Sequence, residues 1–289
     1  MITDFLNEKQ QYLKEYAEYV RIIRDMSWQQ YPGKLLELVE RRGIPLETLQ
    51  EHEIFYIHTY QELMVPQFID KLESFGLINE LNHMPIFHER WVIPIKDFDG
   101  NIINLVGYSP DVDNRYLYGN AKYYDRKNDM FGMENYKETY EIGWALYVEG
   151  ITDCLALRSL GFKNVFASCG TMTSDIKMRH LNMLKHGVIF ITDRDKAGQN
   201  TLKHWRINCA VYLAISIETR FKDIDDYINK DYDPETGMKI ILGPLSAIRV
   251  ERAESVRLTV EAAANWLKLQ GEHPNVIQKD IRYTNITLV

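Results

Sequence analysis

The first third of the chain has hydrophobic positions spaced as in amphipathic helices. The charged, aromatic-rich stretch from Asp4 to Met26 predicts one such helix. The segment "YPGKLLELVERRGIPLETLQEHEI" predicts a helix that ends near Gly43 and a short second helix that begins at Pro45. The segment "VPQFIDKLESFGLI" predicts a further helix, which Gly76 terminates.

The hydrophobic period changes at Phe87. In "ERWVIPIKDFDGNIINLVGYS" two strand-like runs flank a turn at Asp99-Gly100, which is the pattern of a β-hairpin. The aromatic-rich segment that follows, up to Tyr140, has no regular period and predicts no definite element.

From Trp144 onward, strand-like and helix-like segments alternate. The predicted strands are "WALYV", "NVFA", "VIFIT" and "VYLAISI", and the predicted helices are "ITDCLALRSL", "TSDIKMRHLNMLKH" and one from about Gly198. This alternation predicts an α/β fold with a parallel sheet flanked by helices. The last fifty residues contain one clear helix, "SVRLTVEAAANWLKLQ". We expect four regions: a helical N-terminal region (1–84), a smaller mixed α/β subdomain (85–142), the parallel-sheet domain (143–232) and a C-terminal helical segment with a tail (233–289).

Composition narrows the class of protein. The 289 residues are 45% hydrophobic and 26% charged, as in soluble globular proteins, and no apolar run approaches the roughly 20 residues that span a bilayer. The N-terminus lacks the features of a secretory signal, so we expect a cytoplasmic protein with no membrane partner. The three cysteines (Cys154, Cys169 and Cys209) form no CxxC pair, and His83 and His88 have no third ligand nearby. We therefore expect buried free thiols and no structural zinc.

The net charge of −7 is unevenly distributed. Residues 1–84 contain 8 lysines and arginines against 14 aspartates and glutamates, whereas residues 143–232 contain 12 against 10. The acidity therefore belongs mostly to the front of the chain, and the total does not exclude a nucleic-acid partner.

Acidic residues follow three of the four predicted parallel strands. Glu149 and Asp153 follow the first strand, Asp193 and Asp195 the third, and Asp223, Asp225 and Asp226 the fourth. The carboxyl ends of parallel strands meet at one edge of a sheet, where ligands bind. Carboxylates packed together repel one another unless a cation neutralises them, and such oxygen ligands suit Mg²⁺ or Mn²⁺. The pattern therefore predicts a metal site that binds phosphate oxygens.

These segments resemble a known domain. "VEGITDCLAL", "GFKNVFASCGTMTS", "VIFITDRDKAG" and "KDIDDYI", in that order, are similar to the Toprim domain of DnaG-type primases, topoisomerases and several nucleases. The flanking stretches "LVERRGIPLETLQEHEIFYI", "FHERWVIPIKDFDGNIINLVGY" and "RYLYGN…DRKNDMFGM" resemble the segments that precede Toprim in DnaG-type primases. The resemblance runs from about Leu35 to Lys230 and implies the catalytic RNA-polymerase core of a bacterial or phage primase, an enzyme of DNA replication.

The chain departs from the DnaG pattern in three ways. It contains no Cys/His zinc module, too few residues follow Toprim to form a helicase-binding domain, and Tyr108 stands where the family has an arginine. The resemblance thus implies a phage-type or split primase. We expect its partners to be a replicative helicase and a separate zinc-binding template-recognition protein, in the host cytoplasm if the chain is phage-encoded.

The implied chemistry joins ribonucleoside triphosphates on a single-stranded DNA template with two or more Mg²⁺ or Mn²⁺ ions. The expected catalytic residues are Glu149, Asp193 and Asp195. The expected metal ligands are Glu149, Asp153 (as an outer ligand), Asp193, Asp195, Asp223 and Asp225. Whether Glu149 is a ligand or manages the proton stays open.

By resemblance, the triphosphate and template contacts are Arg90, Arg115 and Lys127, with Arg126 as an alternative register for Lys127. Without the six expected metal ligands, residues 143–232 hold 12 basic residues against 4 acidic ones, a surround suited to single-stranded backbone. Tyr116 and Tyr118 are the best candidates for base stacking. Two other functions stay open: a Toprim-family metal-dependent nuclease, which would use the same acids for hydrolysis, and a non-catalytic replication scaffold.

Overall fold

The computed structural model describes residues 2–58, 69–79, 84–169, 174–185, 187–192, 212–216 and 224–225. The chain divides into two compact units, Met1–Asp125 and Arg126–Val289. The predicted boundaries after residues 84, 142 and 232 differ from this division and stay predictions. Within the described residues, no helix combines the length and apolar character that a membrane span requires.

Four helices of the first unit lie within the described residues: α1 (Ile2–Gln30), α2 (Pro32–Arg42), α3 (Leu46–Glu51) and α4 (Ile69–Ser74). The apolar stripe of α1 is buried, and its members have helical spacing: Leu13, Tyr16, Ala17, Val20 and Ile23. Helix α2 begins with a proline and ends at Gly43, whose φ of 62° allows its amide to donate to the Val39 carbonyl. The predicted helices at the start of the chain are confirmed, with Pro45 as the N-cap of α3.

The first unit also contains a four-stranded antiparallel sheet in the order β1-β2-β3-β4: β1 (Phe55–Ile57), β2 (Arg90–Lys96), β3 (Ile102–Tyr108) and β4 (Tyr116–Tyr118). The predicted hairpin is β2–β3, and the Asp97 carboxylate accepts the amides of Asp99 and Asn101 in its turn. Strand β3 is buried along its whole length. One face of the sheet shares a core with α1 through Phe55 and Leu105. On the other face, the Lys34 carbonyl of α2 accepts Nε1 of Trp91.

The second unit is built on a five-stranded sheet in the order β5-β7-β6-β8-β9. Its strands are β5 (Met130–Phe131), β6 (Trp144–Val148), β7 (Val165–Ser168), β8 (Gly187–Thr192) and β9 (Tyr212–Ser216). Strands β6 to β9 are parallel to one another, as predicted, whereas β5 is antiparallel to β7. The helices of this unit are α5 (Tyr136–Ile142), which follows a 3-10 turn, α6 (Ile151–Ser159) and α7 (Asp175–Asn182).

The central strands are apolar throughout because neighbouring strands and helices cover them. Strand β6 is buried at all five positions, and its Ala145 and Tyr147 share a core with Phe166 of β7 and Phe190 of β8. Cys154 and Cys169 are buried free thiols, as predicted, and burial raises the pKa of Cys154 to about 12. The predicted helices from Gly198 and over 255–270, and Cys209, lie outside the described residues.

Candidate active site

The carboxyl ends of three neighbouring strands form the edge that the sequence predicted. Strand β8 lies between β6 and β9 and is parallel to both, with Val148 opposite Ile191 and Thr192 opposite Ser216. Strand β6 ends one residue before Glu149, and β8 ends at the residue that precedes Asp193 in the sequence. The strand order therefore brings the carboxyl ends of β6, β8 and β9 to one edge of the sheet, where Glu149 follows β6.

Two of the predicted acids are linked at this edge. Asp153 lies in the first turn of α6, where its Oδ2 accepts the backbone amide of Gly150 at 3.1 Å. Its Oδ1 accepts the backbone amide of Asp225 at 3.1 Å. Asp153 is 5% exposed and Asp225 is 1% exposed. The Asp153 carboxylate, in the helix after β6, is thus hydrogen-bonded to the backbone of Asp225, which follows β9, and both residues are shielded from water.

The remaining predicted ligands divide into described and undescribed residues. Glu149 is half-buried directly after β6. Asp193, Asp195 and Asp223 lie outside the described residues, so the structure does not place them. Across the described ranges, no group of three or more His, Cys, Asp and Glu side chains is close enough to hold a metal ion. The donor set that is described consists of carboxylates alone, which fits a hard divalent cation.

Arg90 and Arg115 meet in the first unit. Arg90 Nη1 donates to the carbonyls of Asn114 and Arg115, at 3.0 and 3.1 Å, and burial lowers the pKa of Arg90. The aliphatic part of the Arg90 side chain packs against Gly107. A Cβ atom added to Gly107 would come within 2.8 Å of Arg90 Cδ. Arg90 therefore anchors the loop before β4, while Arg115 is an exposed residue.

Arg126 and Lys127, the two alternative registers, have different surroundings in the second unit. Arg126 Nε donates to the Cys169 carbonyl at 2.7 Å, and the Arg126 carbonyl accepts Nζ of the fully buried Lys177 at 3.1 Å. These bonds attach the start of the unit to the end of β7 and to α7. Lys127, one residue on, is exposed. Arg126 is exposed as well, and both registers stay predictions.

Tyr108, which replaces the family arginine, is fully buried. Its hydroxyl accepts from Arg42 Nε at 2.7 Å and also from Arg42 Nη2, and the guanidinium carbon lies 5.1 Å from the centre of the Tyr108 ring. The Arg42 guanidinium, contributed by α2, thus lies against the residue at which the resemblance predicts an arginine. The sequence analysis missed Arg42 because a basic last turn is common in any helix.

Tyr108 belongs to an aromatic row that crosses the first sheet. Tyr56 pairs with Trp91, Trp91 with Tyr108, and Tyr108 with Tyr116, and successive ring centres are 5.4, 6.4 and 5.1 Å apart. Only Tyr116, on β4, is partly exposed in this row. Tyr118 is also partly exposed, so the structure leaves both predicted stacking tyrosines accessible.

Comparisons with known proteins agree with this geometry. A family model described as Toprim-like matches residues 146–228. The DNA primase of Aquifex aeolicus is 28% identical over 214 residues, which cover 70% of this chain and 42% of the relative. The DNA primase of Thermotoga maritima is 23% identical over 237 residues, which cover 75% of this chain and 42% of the relative. The chain thus spans about two fifths of the length of these relatives.

Solved structures show the same fold. The DnaG primase catalytic domain bound to single-stranded DNA superposes with a TM-score of 0.67 at 19% identity, covering 94% of this chain and 98% of that one. The RNA polymerase domain of Mycobacterium tuberculosis DnaG gives 0.69 at 18% identity, covering 95% and 94%. The chain therefore has the α/β fold of a primase catalytic core, with a Toprim-like domain. The sequence relatives reported above are named DNA primases, which agrees with the resemblance that the motifs indicated.

Proposed function

We propose that this chain is the catalytic core of a DNA primase, which synthesises short RNA primers on single-stranded DNA from ribonucleoside triphosphates. The observation that carries the proposal is the edge formed by the parallel strands β6, β8 and β9, since Glu149 directly follows β6, Asp193 directly follows β8, and Asp223 comes seven residues after the end of β9 in the sequence. That edge lies in a chain with the fold of a primase core. Fold alone leaves the chemistry open, and the acids at this edge support a metal-dependent reaction at phosphorus.

We assign the acids at this edge to two or more Mg²⁺ or Mn²⁺ ions. Asp193, Asp195, Asp223 and Asp225 would hold the ions, with Glu149 beside them. When bound, such ions stabilise the attacking and leaving oxygens of an in-line phosphoryl transfer. Glu149 sits at the end of a fully buried strand, so its position is fixed. It serves either as a ligand or as the group that accepts the proton of the primer hydroxyl.

The cations would hold the triphosphate and the template. Arg115 and Lys127 are exposed, and Arg90 orients the loop that carries Arg115. Charged contacts of this kind bind phosphate with little regard to sequence, and their affinity falls with salt. Tyr116, which packs against Tyr108 with the two rings tilted by 42° and is partly exposed, offers a ring to an unpaired base. Start-site choice would then come from a separate zinc-binding protein, and unwinding from a replicative helicase, in the cytoplasm.

A primer-synthesis assay tests the proposal. The chain is incubated with single-stranded DNA, labelled ribonucleotides and Mg²⁺ or Mn²⁺, and the products are resolved by length. We expect oligoribonucleotides from the unsubstituted chain and a loss of about 100-fold or more from Asp193→Asn or Asp195→Asn, because metal ligands supply several kcal/mol of transition-state stabilisation. Both variants should stay as stable as the parent, since removal of an acid from a crowded cluster relieves repulsion.

The matched control is Glu141→Gln, an exposed acid at the end of α5, which should keep full activity. Template degradation without ribonucleotide incorporation would favour the nuclease. Binding of DNA and helicase with neither activity would favour the scaffold. Full synthesis by either aspartate variant would contradict the metal assignment.

A further inference from the structure

We propose that Asp153 is a positioning residue, whose carboxylate holds the backbone of Asp225 next to the turn after β6. In this role Asp153 is not itself a metal ligand. The proposal rests on the metal site proposed above. It replaces the expectation that Asp153 is an outer metal ligand.

Both oxygens of the Asp153 carboxylate accept backbone amides. Oδ2 accepts Gly150 N–H at 3.1 Å, which satisfies one of the amides that a helix N-terminus leaves without a partner in the helix. Oδ1 accepts Asp225 N–H at 3.1 Å, a contact between residues 72 positions apart. We call this pair of hydrogen bonds the Asp153 link. It is charge-assisted on both sides, and such bonds are stronger than neutral ones.

The Asp153 link joins two segments that the sheet alone does not join. Glu149 and Gly150 follow β6, and Asp225 follows β9, and these strands are separated by β8 in the sheet order. Backbone pairing to Asp153 therefore sets the distance between Glu149 and Asp225 across the end of β8. A metal site needs ligands held at fixed separations, and partners that orient ligands commonly change metal affinity about 10–100-fold when removed.

Because the Asp153 link is buried, it contributes to the stability of the protein even when no metal is bound. Asp153 and Asp225 are 5% and 1% exposed, so water does not replace the lost acceptor easily. Removal of the Asp153 carboxylate leaves the buried amide of Asp225 and the half-buried amide of Gly150 without this acceptor and destabilises the metal-free protein. Removal of an ordinary ligand from an acidic cluster does the opposite, because it relieves repulsion. The two roles thus predict opposite signs under chelating conditions.

Two variants break the link by different routes. Asp153→Asn removes the charge and turns one acceptor into a donor. Gly150→Ala changes no charge, and its φ of −98° suits alanine, but the new Cβ would lie 2.4 Å from Asp153 Oδ2 and displace the carboxylate. If Asp153→Asn fails to fold, Gly150→Ala still tests the link. Glu141→Gln is the control for loss of an acid.

The first measurement is unfolding and backbone hydrogen exchange of the full chain in excess chelator. For both link variants we expect the unfolding midpoint to fall by about 3–8 °C and the Asp225 amide to lose protection. Glu141→Gln should change neither. A metal-free Asp153→Asn protein that is as stable as the parent, with the Asp225 amide still protected, would overturn the proposal.

The second measurement is Mn²⁺ affinity by titration, which a purely structural role would leave unchanged. We expect Asp153→Asn to weaken binding by about 10–100-fold. Asp153→Asn combined with Asp225→Asn should bind no more weakly than Asp225→Asn alone, because Asp153 acts through Asp225. Additive losses would make Asp153 an independent ligand and overturn the proposal. An unsubstituted chain that binds no Mn²⁺ would overturn the proposed metal site itself, while the exchange result reports separately on the link.

Discussion

At the scale of single residues, acids that occupy similar places in the sequence pattern have different hydrogen-bond partners in the structure. Glu149 follows a strand buried at every position, and the next amide, that of Gly150, is held by Asp153. Asp153 faces backbone donors on both sides. The sequence shows that these acids are neighbours at one strand end, but only the coordinates show which oxygens are already engaged.

Glu149→Gln tests the division of labour among the acids. We expect primer synthesis to be lost while binding of the metal-bound triphosphate is kept, because Asp193, Asp195, Asp223 and Asp225 remain to hold at least one ion. Titration of a ribonucleoside triphosphate in Mn²⁺, alongside the synthesis assay, measures both properties, with Glu141→Gln as the control. Loss of nucleotide binding together with activity would place Glu149 among the essential ligands.

Glu53 gives the first unit a predictable response to pH. Burial raises the pKa of this carboxyl, but its ion pair with Lys96 at 2.5 Å and its pairs with Arg24 and Arg21 outweigh burial and hold the pKa below its ordinary value. A carboxyl with a lowered pKa in the folded state stabilises the fold above its unfolded pKa of about 4.3, and this stability is lost as the pH falls through the folded pKa.

Glu53→Gln should therefore lower the free energy of unfolding by about 1–3 kcal/mol near pH 7, and the difference from the parent should disappear under strongly acidic conditions. Urea unfolding between pH 3 and pH 7 measures it. Glu51→Gln, an exposed neighbour, is the control and should follow the parent throughout. A difference that stays constant with pH would show that charge is not the cause.

At the scale of elements, strong periodicity made the fold predictable. The helices of the front, the hairpin at Gly100 and the parallel strands from Trp144 all follow from apolar spacing and from glycine and proline positions. The segment from Tyr108 to Tyr140 gave no period, because β4 has three residues and β5 only two. Such short strands depend on partners far along the chain, since β5 pairs with β7.

The short elements before Trp144 are held by a buried ion pair. Arg158 of α6 contacts Glu134 of the 3-10 turn at 2.6 Å and also donates to the carbonyls of Gly132 and Val165. Glu134→Gln should destabilise the chain by about 3 kcal/mol, because it leaves the Arg158 charge buried without its counter-ion. Chemical denaturation measures the effect. Glu138→Gln, an exposed acid on α5, is the control, and equal stability of the two variants would contradict the assignment.

At the scale of the whole molecule, charge is distributed unevenly between the acidic front and residues 143–232, where basic residues outnumber acidic ones. The first 84 residues are acidic, yet two acids of α1 are already used within the first unit, where Glu8 pairs with Lys122 and Glu15 with Lys71. Near the same end of α1, Phe5 and Leu6 are 53% and 51% exposed. A helix with exposed apolar residues, in a region whose acids outnumber its bases, is better suited to a protein surface than to DNA.

We therefore expect the isolated chain to be a weak primase that gains activity and start-site choice from a separate protein. Lysine and arginine contacts to phosphate position a strand without specifying a start. Primer yield and start position are measured with the chain alone and then with cognate replication proteins added one at a time. Phe5→Ser with Leu6→Ser should reduce the gain and leave the basal yield unchanged, whereas Met183→Ser, an exposed apolar change on the second unit, serves as the control. Efficient priming from one defined trinucleotide by the purified chain alone would refute the prediction.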